Sequence, residues 1–174
     1  MKYLVRFFVV TFFFIISTHT FADQKIVVLD MKYILNNSKA GKGAQDFLKK
    51  SFNDNTKKFT EIEKALKKEE NDLLSKKTVL SKEEYTKKTD SLRKKVIDYQ
   101  SQRRTSLDKI ATLRAKSKDT LLKKIDPILD AYIKENNISL VIDKAQMLGG
   151  RPEVDITNVI VEKLNKALPS LDLK

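Results

Sequence analysis

A long stretch with few helix breakers constrains this chain more than any other feature. Residues 41–133 contain two glycines and one proline, and apolar residues recur through them in a heptad-like pattern. Such a pattern predicts long helices that pack against each other along an apolar seam. Two polar residues, Asn55 and Glu69, occupy seam positions and make the seam imperfect. The apolar seam positions of the first helix are Leu48, Phe52, Phe59, Ile62, Leu66 and Leu73.

The chain must reverse between two such helices, and the sequence places the turn at residues 75–80. The SKEE sequence of residues 81–84 matches a capping box, which satisfies the first free amides of a new helix. Helices of roughly 35 and 50 residues predict an arm of about 50–70 Å. Pro127 predicts a kink in the returning helix or the junction between arm and body. The apolar edge of this helix is formed by Leu92, Val96, Tyr99, Leu107, Ile110, Leu121, Ile125, Ile128 and Tyr132.

Two short runs rich in β-branched residues flank the helical region and predict strands. Residues 25–30 have the sequence KIVVLD, and residues 138–143 have the sequence ISLVID after the turn-prone pair Asn136-Asn137. Each run is too short for a typical helix and ends at an aspartate. We therefore expect two strands, and we expect them to pair with each other.

The residues after the second strand predict a loop and a final helix. The GGRP sequence of residues 149–152 is typical of a loop. We expect a short edge segment at residues 153–155, followed by an amphipathic helix at residues 158–167. Thr157 is the predicted N-cap of this helix, and Pro169 lies just beyond its end.

The fold class predicted from these elements is α+β. A small β body comprises residues 23–40 and 134–174, and it carries a coiled-coil-like helical hairpin arm formed by residues 41–133. A sheet of two or three strands is marginal alone in water, and its open edges invite pairing with another chain. We therefore expect self-association through the body. The residues expected at this interface are Ile26, Val28, Leu140, Val141 and Ile142.

Positive charge is concentrated in the arm. The chain has 35 basic and 23 acidic residues, and residues 41–133 hold 24 of the basic and 15 of the acidic ones. Basic doublets spread this charge widely, because adjacent helical residues point about 100° apart. Such a surface attracts an anionic partner, although a solvated helix face is the alternative interpretation. The candidate partner-binding residues are Lys49, Lys50, Lys57, Lys58, Lys67, Lys68, Lys76, Lys77, Lys87, Lys88, Lys94, Lys95, Arg103 and Arg104.

Residue types common in catalytic and metal sites are nearly absent. The chain has no cysteine, and its one histidine, His19, lies near the N-terminus. The commonest general base, thiol nucleophile and transition-metal ligand are therefore missing from the rest of the chain. Asp30 and Asp143 end the two predicted strands, where turn roles explain them better than a reactive carboxylate pair. We expect no catalytic residue, no metal site and no cofactor, and a binding protein rather than an enzyme.

Residues 1–22 have the features of a secretory signal peptide. Two basic residues precede an apolar run at residues 7–16, which is short of the ~20 residues needed to span a bilayer. The TFA sequence at residues 20–22 suits the signal peptidase, because its first and third residues are small. We therefore expect secretion and a mature chain that begins at Asp23.

The order of these parts resembles the Skp/OmpH family. The KIVVLD strand is followed by SKAGK at residues 38–42, which opens the long basic hairpin. LVIDK at residues 140–144 and VDIT at residues 154–157 then close the pattern before the last helix. The resemblance covers essentially all of the chain after the signal peptide. It implies a periplasmic homotrimer with a central β-barrel, from which three helical arms extend and enclose a cavity.

The resemblance also implies a function. Members of the family hold unfolded outer-membrane β-barrel proteins without ATP and prevent their aggregation. A cationic, partly apolar cage suits such clients, because barrel strands alternate apolar and polar side chains. Bulk charge alone leaves other partners open, namely lipopolysaccharide, an anionic membrane surface or other polyanions, and a structural coiled-coil linker is a further alternative. The secretion signal argues against nucleic acid as the biological ligand.

Overall fold

The structure is a computed structural model that describes residues 24–173, so the predicted signal peptide lies outside the described residues. Within them, a short strand and short helix lead into two long helices, which a second strand and a last helix follow. This architecture confirms the predicted α+β class with its helical arm. The elements are β1 (Lys25–Leu29), α1 (Met31–Asn37), α2 (Lys39–Ser75), α3 (Lys82–Glu135), β2 (Ile138–Asp143) and α4 (Thr157–Ala167), with 3-10 turns at Lys144–Gln146 and Pro152–Val154.

The body is built on a parallel pair of strands. β1 pairs with β2 as expected, with Ile26 opposite Leu140 and Leu29 opposite Asp143. Val27 and Leu29 lie on the face of the sheet that packs against the helices. This core receives residues from every helix of the body, and it includes the C-terminal part of α3. Its main apolar members are Ile34, Leu121, Ile125, Ile138, Ile156, Ile160 and Leu164.

The arm is a hairpin of unequal helices. α2 has 37 residues and α3 has 54, so α2 is about 55 Å long and the surplus length of α3 reaches into the body. The predicted capping box begins α3: the Ser81 hydroxyl accepts a hydrogen bond from the Glu84 amide, and the Glu84 carboxylate accepts one from the Ser81 amide. The hydrogen bond from the Ser81 hydroxyl, followed by that from its amide, lowers the pKa of Glu84.

Two predictions after β2 were wrong in detail. The expected edge segment at residues 153–155 is mostly a 3-10 turn, and only Asp155 forms a bridge, to Val28 of β1. Thr157 is the first residue of α4 rather than its N-cap, and Ile156 precedes the helix without a side-chain cap. The Thr157 hydroxyl instead accepts a hydrogen bond from the Asp30 amide at 2.9 Å. The hydroxyl that would otherwise cap α4 is thus engaged in a long-range hydrogen bond with the residue that follows β1.

Pro127 neither ends α3 nor marks the junction of arm and body. The helix continues through it to Glu135. Ile125 and Ile128, on either side of Pro127, both pack in the body core, and so does Leu121 one turn earlier. Pro127 therefore lies inside the body, where core packing of the surrounding residues outweighs the missing backbone hydrogen bond.

The sequence analysis did not predict α1, a short helix that begins two residues after the end of β1. Its N-cap is Asp30, whose carboxylate accepts a hydrogen bond from the Tyr33 amide at 2.7 Å. Asp143 acts similarly at the end of β2 and accepts a hydrogen bond from the Ala145 amide at 2.8 Å. Both aspartates therefore have the local turn roles that their positions predicted.

A tight elbow between α1 and α2 sets the direction in which the arm leaves the body. Ser38 is the single residue between the helices and is fully buried, and its hydroxyl accepts a hydrogen bond from the Gly41 amide. Gly41 lies so close to α1 that a Cβ there would overlap the backbone carbonyl of Leu35. Asn165 of α4 fixes the elbow from the other side, because its Oδ1 accepts a hydrogen bond from the Lys39 amide at 2.7 Å.

Alanine at each of the two arm glycines tests this elbow. Gly41→Ala should lower the free energy of unfolding by about 1–3 kcal/mol, because the new methyl group forces the helices apart. Gly43→Ala is the matched control: a Cβ there meets nothing within 4 Å. It should be neutral or stabilising by up to about 1 kcal/mol, since alanine favours the helix. Urea unfolding followed by circular dichroism measures both, and equal effects of the two changes would contradict the close contact at Gly41.

Candidate functional site

One face of the β1–β2 pair is apolar and open. Because side chains alternate along a strand, the face opposite the helical core carries Ile26 and Val28 and their partners Leu140 and Ile142. Ile26 is 44% exposed and Leu140 is 51% exposed, whereas Val28 is only 2% exposed. Four of the five predicted interface residues thus share one face. The fifth, Val141, lies on the core side.

The two edges of this sheet differ. At the outer edge of β1, Val28 accepts a hydrogen bond from the Ile156 amide at 2.9 Å and bridges to Asp155. Burial raises the pKa of Asp155, but hydrogen bonds from Lys144 and Thr157 outweigh burial and lower it. Lys144 Nζ lies 2.7 Å from Asp155 Oδ2, and this hydrogen bond raises the pKa of Lys144. The outer edge of β2 pairs with no other strand in the described part of the chain.

All fourteen predicted cationic residues are exposed on the arm. The structure does not gather them into one site but distributes them along both helices and around the turn. Three of them make ion pairs between 2.7 and 4.0 Å, and no other ion pair within 4 Å involves them among residues 24–173. Most of the positive charge is therefore free to meet a partner. The three pairs are Lys87–Glu83, Lys95–Glu69 and Arg104–Asp108.

The seam between α2 and α3 is only partly closed. Leu48, Phe59 and Leu73 are buried as expected, but Phe52 is 49% exposed. Phe59 makes an edge-to-face contact with Tyr99 of α3, with ring centroids 6.0 Å apart. Polar groups join the helices elsewhere along the seam.

Glu69 is one of these polar groups. It occupies a seam position, and its carboxylate accepts hydrogen bonds from Lys95 Nζ of α3 at 2.7 and 2.9 Å. The Tyr99 hydroxyl donates a similar hydrogen bond to Glu63 at 3.2 Å. These pairs connect the helices at points where apolar packing is interrupted.

Two grooves follow the open parts of the seam. The root groove has a volume of about 660 Å³ and lies where α1, α2 and α3 meet. The mid-arm groove has a volume of about 180 Å³ and lies beside Phe59 and Tyr99. Phe52 lines both grooves. The heptad pattern predicted that Phe52 is buried in the seam. No local signal in the sequence indicates that the opposite helix leaves it partly uncovered.

The far end of the arm also exposes apolar side chains that the sequence analysis did not assign. Leu74, in the last turn of α2, is more than half exposed, and Val79 in the turn between the helices is almost fully exposed. Lys76 and Lys77 lie between them in the sequence and are exposed as well. The sequence could have indicated that Val79 is exposed, because it lies between a helix end and a capping box. Side chains in such a turn have few neighbours to pack against.

The aspartates considered as candidate reactive groups have structural roles in the described residues. Asp30 and Asp143, the carboxylates considered as a pair, each cap a helical turn. Within residues 24–173, no three His, Cys, Asp or Glu side chains lie together as metal ligands would. No helix in that range is both long and apolar enough to cross a bilayer.

The known proteins that this chain resembles include a protein family, a related sequence and a solved structure. Residues 25–164 match the family model of outer membrane proteins described as OmpH-like. A Skp-like protein of Pseudomonas aeruginosa is 24% identical over 166 residues, covering 95% of this chain and 99% of that protein. One similar solved structure is the crystal structure of a proposed outer membrane chaperone (OmpH-like) from Caulobacter crescentus CB15. It has a TM-score of 0.78 at 19% identity, covering 89% of this chain and 92% of that one, and concerns the fold alone.

Proposed function

The chain belongs to the OmpH-like family of outer membrane proteins, and from that premise we propose that it is a holding chaperone of the periplasm. It binds unfolded outer-membrane β-barrel proteins and prevents their aggregation without ATP. The observation that carries this proposal is the arm, which combines exposed cations along two helices with an apolar seam that is only partly closed.

An arm of this kind suits an unfolded barrel protein. Barrel strands alternate apolar and polar residues, so an unfolded chain exposes many separate apolar side chains rather than one patch. Long-range charge attraction brings an anionic chain to the arm, and exposed residues such as Phe52 and Leu107 then supply weak apolar contacts. Since each contact is weak, the client stays unfolded and can leave without an energy source.

We further propose that three copies assemble through the body. The support is the exposed apolar face at Ile26 and Leu140 together with the unpaired edge of β2, both of which a neighbouring copy would cover. The number three comes from the family resemblance. Three arms that start from fixed elbows on one assembled body would then surround a shared space for the client.

Aspartate substitutions in the sheet test the assembly. Leu140→Asp should yield folded monomers, because this side chain is 51% exposed in the protomer and only a partner would bury its carboxylate. Val28→Asp should unfold the protomer itself, since an unpaired buried carboxylate costs several kcal/mol. Val159→Asp is the control: Val159 is partly exposed on α4, and the change should leave the mass of the assembly unchanged.

Light scattering and circular dichroism separate these outcomes. Loss of mass with retained helicity is expected for Leu140→Asp alone. An intact trimer of the Leu140→Asp variant would contradict assembly through this face.

Charge reversal at four arm lysines tests client capture. Lys57, Lys58, Lys88 and Lys94 make no ion pair within 4 Å among the described residues, so their change to Glu breaks no ion pair of the arm. The reversed protein should keep its mass and helicity, but it should capture an acidic unfolded barrel protein at least about tenfold more slowly at low salt. Light scattering of the aggregating client measures the rate.

Arginine at the same four positions is the control, because it keeps the charge. The arginine variant should protect the client as the parent does. Added salt should reduce the protection given by both proteins, since exposed charges are screened over about 8 Å at physiological ionic strength. Equal protection by the glutamate variant and the parent would show that the basic arm is a solvated surface.

A further inference from the structure

The two grooves of the arm meet at Phe52 and continue one another along the seam. The root groove reaches from Gly41 to Phe52 on α2, and the mid-arm groove continues from Phe52 to Glu63. Gly41 and Glu63 are 22 positions apart, so at about 1.5 Å per residue this part of the helix spans roughly 33 Å. The two grooves adjoin at Phe52, which lines both, and we call them together the seam channel.

The root groove is lined partly by small and apolar residues. Ala44 of α2 and Ser117 of α3 line it with short side chains. Its floor is formed by the apolar residues Leu48 and Leu121, which are buried. The apolar side chains that remain about half exposed in the channel are Phe52, which lines both grooves, and Leu107, which lines the mid-arm groove.

The rim of the channel is predominantly basic. Lys49, Arg114 and Lys118 line the root groove and Arg103 lines the mid-arm groove. None of these cations makes an ion pair within 4 Å among the described residues. On the acidic side the rim has only Asp46 and Glu63, and Glu63 already accepts the hydrogen bond of the Tyr99 hydroxyl. The rim is thus complementary to carboxylates and carbonyl oxygens of an occupant.

We propose that the seam channel binds one extended strand of the unfolded client. This inference rests on the proposed function and assigns its contact site. An extended chain rises about 3.3 Å per residue, so roughly 33 Å holds about ten residues, which is the length of one membrane-spanning barrel strand. Alternate side chains then enter the channel and contact Phe52 and Leu107, while the polar ones meet the cationic rim. A ten-residue helix would cover only about 15 Å of this length.

Paired substitutions separate the channel from the rest of the arm. Phe52 is 49% exposed and Leu107 is 43% exposed, and both line the channel. Phe47 on the same helix as Phe52 is 39% exposed, Ile97 on the same helix as Leu107 is 57% exposed, and neither lines it. Each change to Ser removes a similarly exposed apolar side chain, so the members of a pair differ mainly in their position relative to the channel.

The probe is a fluorescent ten-residue peptide in which apolar and acidic residues alternate. Its affinity for the full mature chain should fall about tenfold for Phe52→Ser and for Leu107→Ser, since an apolar contact of this size is lost. It should change less than about twofold for Phe47→Ser and Ile97→Ser. A peptide of the same composition with helical spacing of its apolar residues should bind the parent more weakly.

Each other outcome has a distinct meaning. Equal losses of peptide affinity for both members of a pair would overturn the proposed channel site. They would indicate diffuse contact over the arm and would leave the proposed chaperone function intact. A change in the mass of the assembly on Phe52→Ser would also overturn it, because a second copy would then occupy the channel. If the parent failed to prevent aggregation of a full-length barrel protein, the proposed function itself would fail.

Discussion

The parallel pairing of β1 with β2 is the interaction on which the rest of the structure depends. Parallel neighbours cannot be joined by a tight turn and require a crossover. Here the crossover contains α1 and the entire helical arm. Both ends of the arm are therefore anchored on one small body, the outgoing end at the Ser38 elbow and the returning end where Leu121 and Ile125 enter the core. The body thus fixes the position of the base of a long arm that has little hydrophobic core of its own.

Beyond its root, the arm is stabilised by means that leave much of its surface available. Few side chains are fully buried there, and the capping box at Ser81, the Lys95–Glu69 pair and the Phe59–Tyr99 contact supply local stability. A seam closed along its whole length would make a stiffer hairpin but would present no apolar contact to a client. In the proposed function, the incomplete seam and the exposed cations are two parts of one binding surface, whose contacts are individually weak and numerous.

Local signals made much of this fold predictable. The strands, the turn and the start of α3 follow from β-branched runs and from the Ser81–Glu84 capping box, whose determinants lie within a few residues of each other. Contacts between distant residues were not predictable. Thr157 satisfies a local rule for an N-cap, yet its hydroxyl accepts from the Asp30 amide, 127 residues away in the sequence.

The exposure of Phe52 could not be predicted from the sequence for the same reason, because it depends on contacts between distant residues. Its heptad position indicates burial, but whether it is covered depends on residues of the other helix such as Leu107, which lines the mid-arm groove together with it. The basic doublets were identified correctly as exposed, because charge alone predicts a surface position. The interface prediction at Ile26 and Leu140 came from the small size and open edges of the predicted sheet and stays a prediction; in the structure both side chains are exposed on one face.

The most direct test of the account follows an unfolded client through capture and release. A urea-denatured outer-membrane barrel protein is diluted into the mature protein without nucleotide, the mass of the complex is measured, and detergent micelles are then added. We predict a soluble complex of one client with one assembly, from which the barrel folds into the micelles without ATP. Aggregation of the client at the rate seen without the protein, with no complex formed, would contradict the central claim.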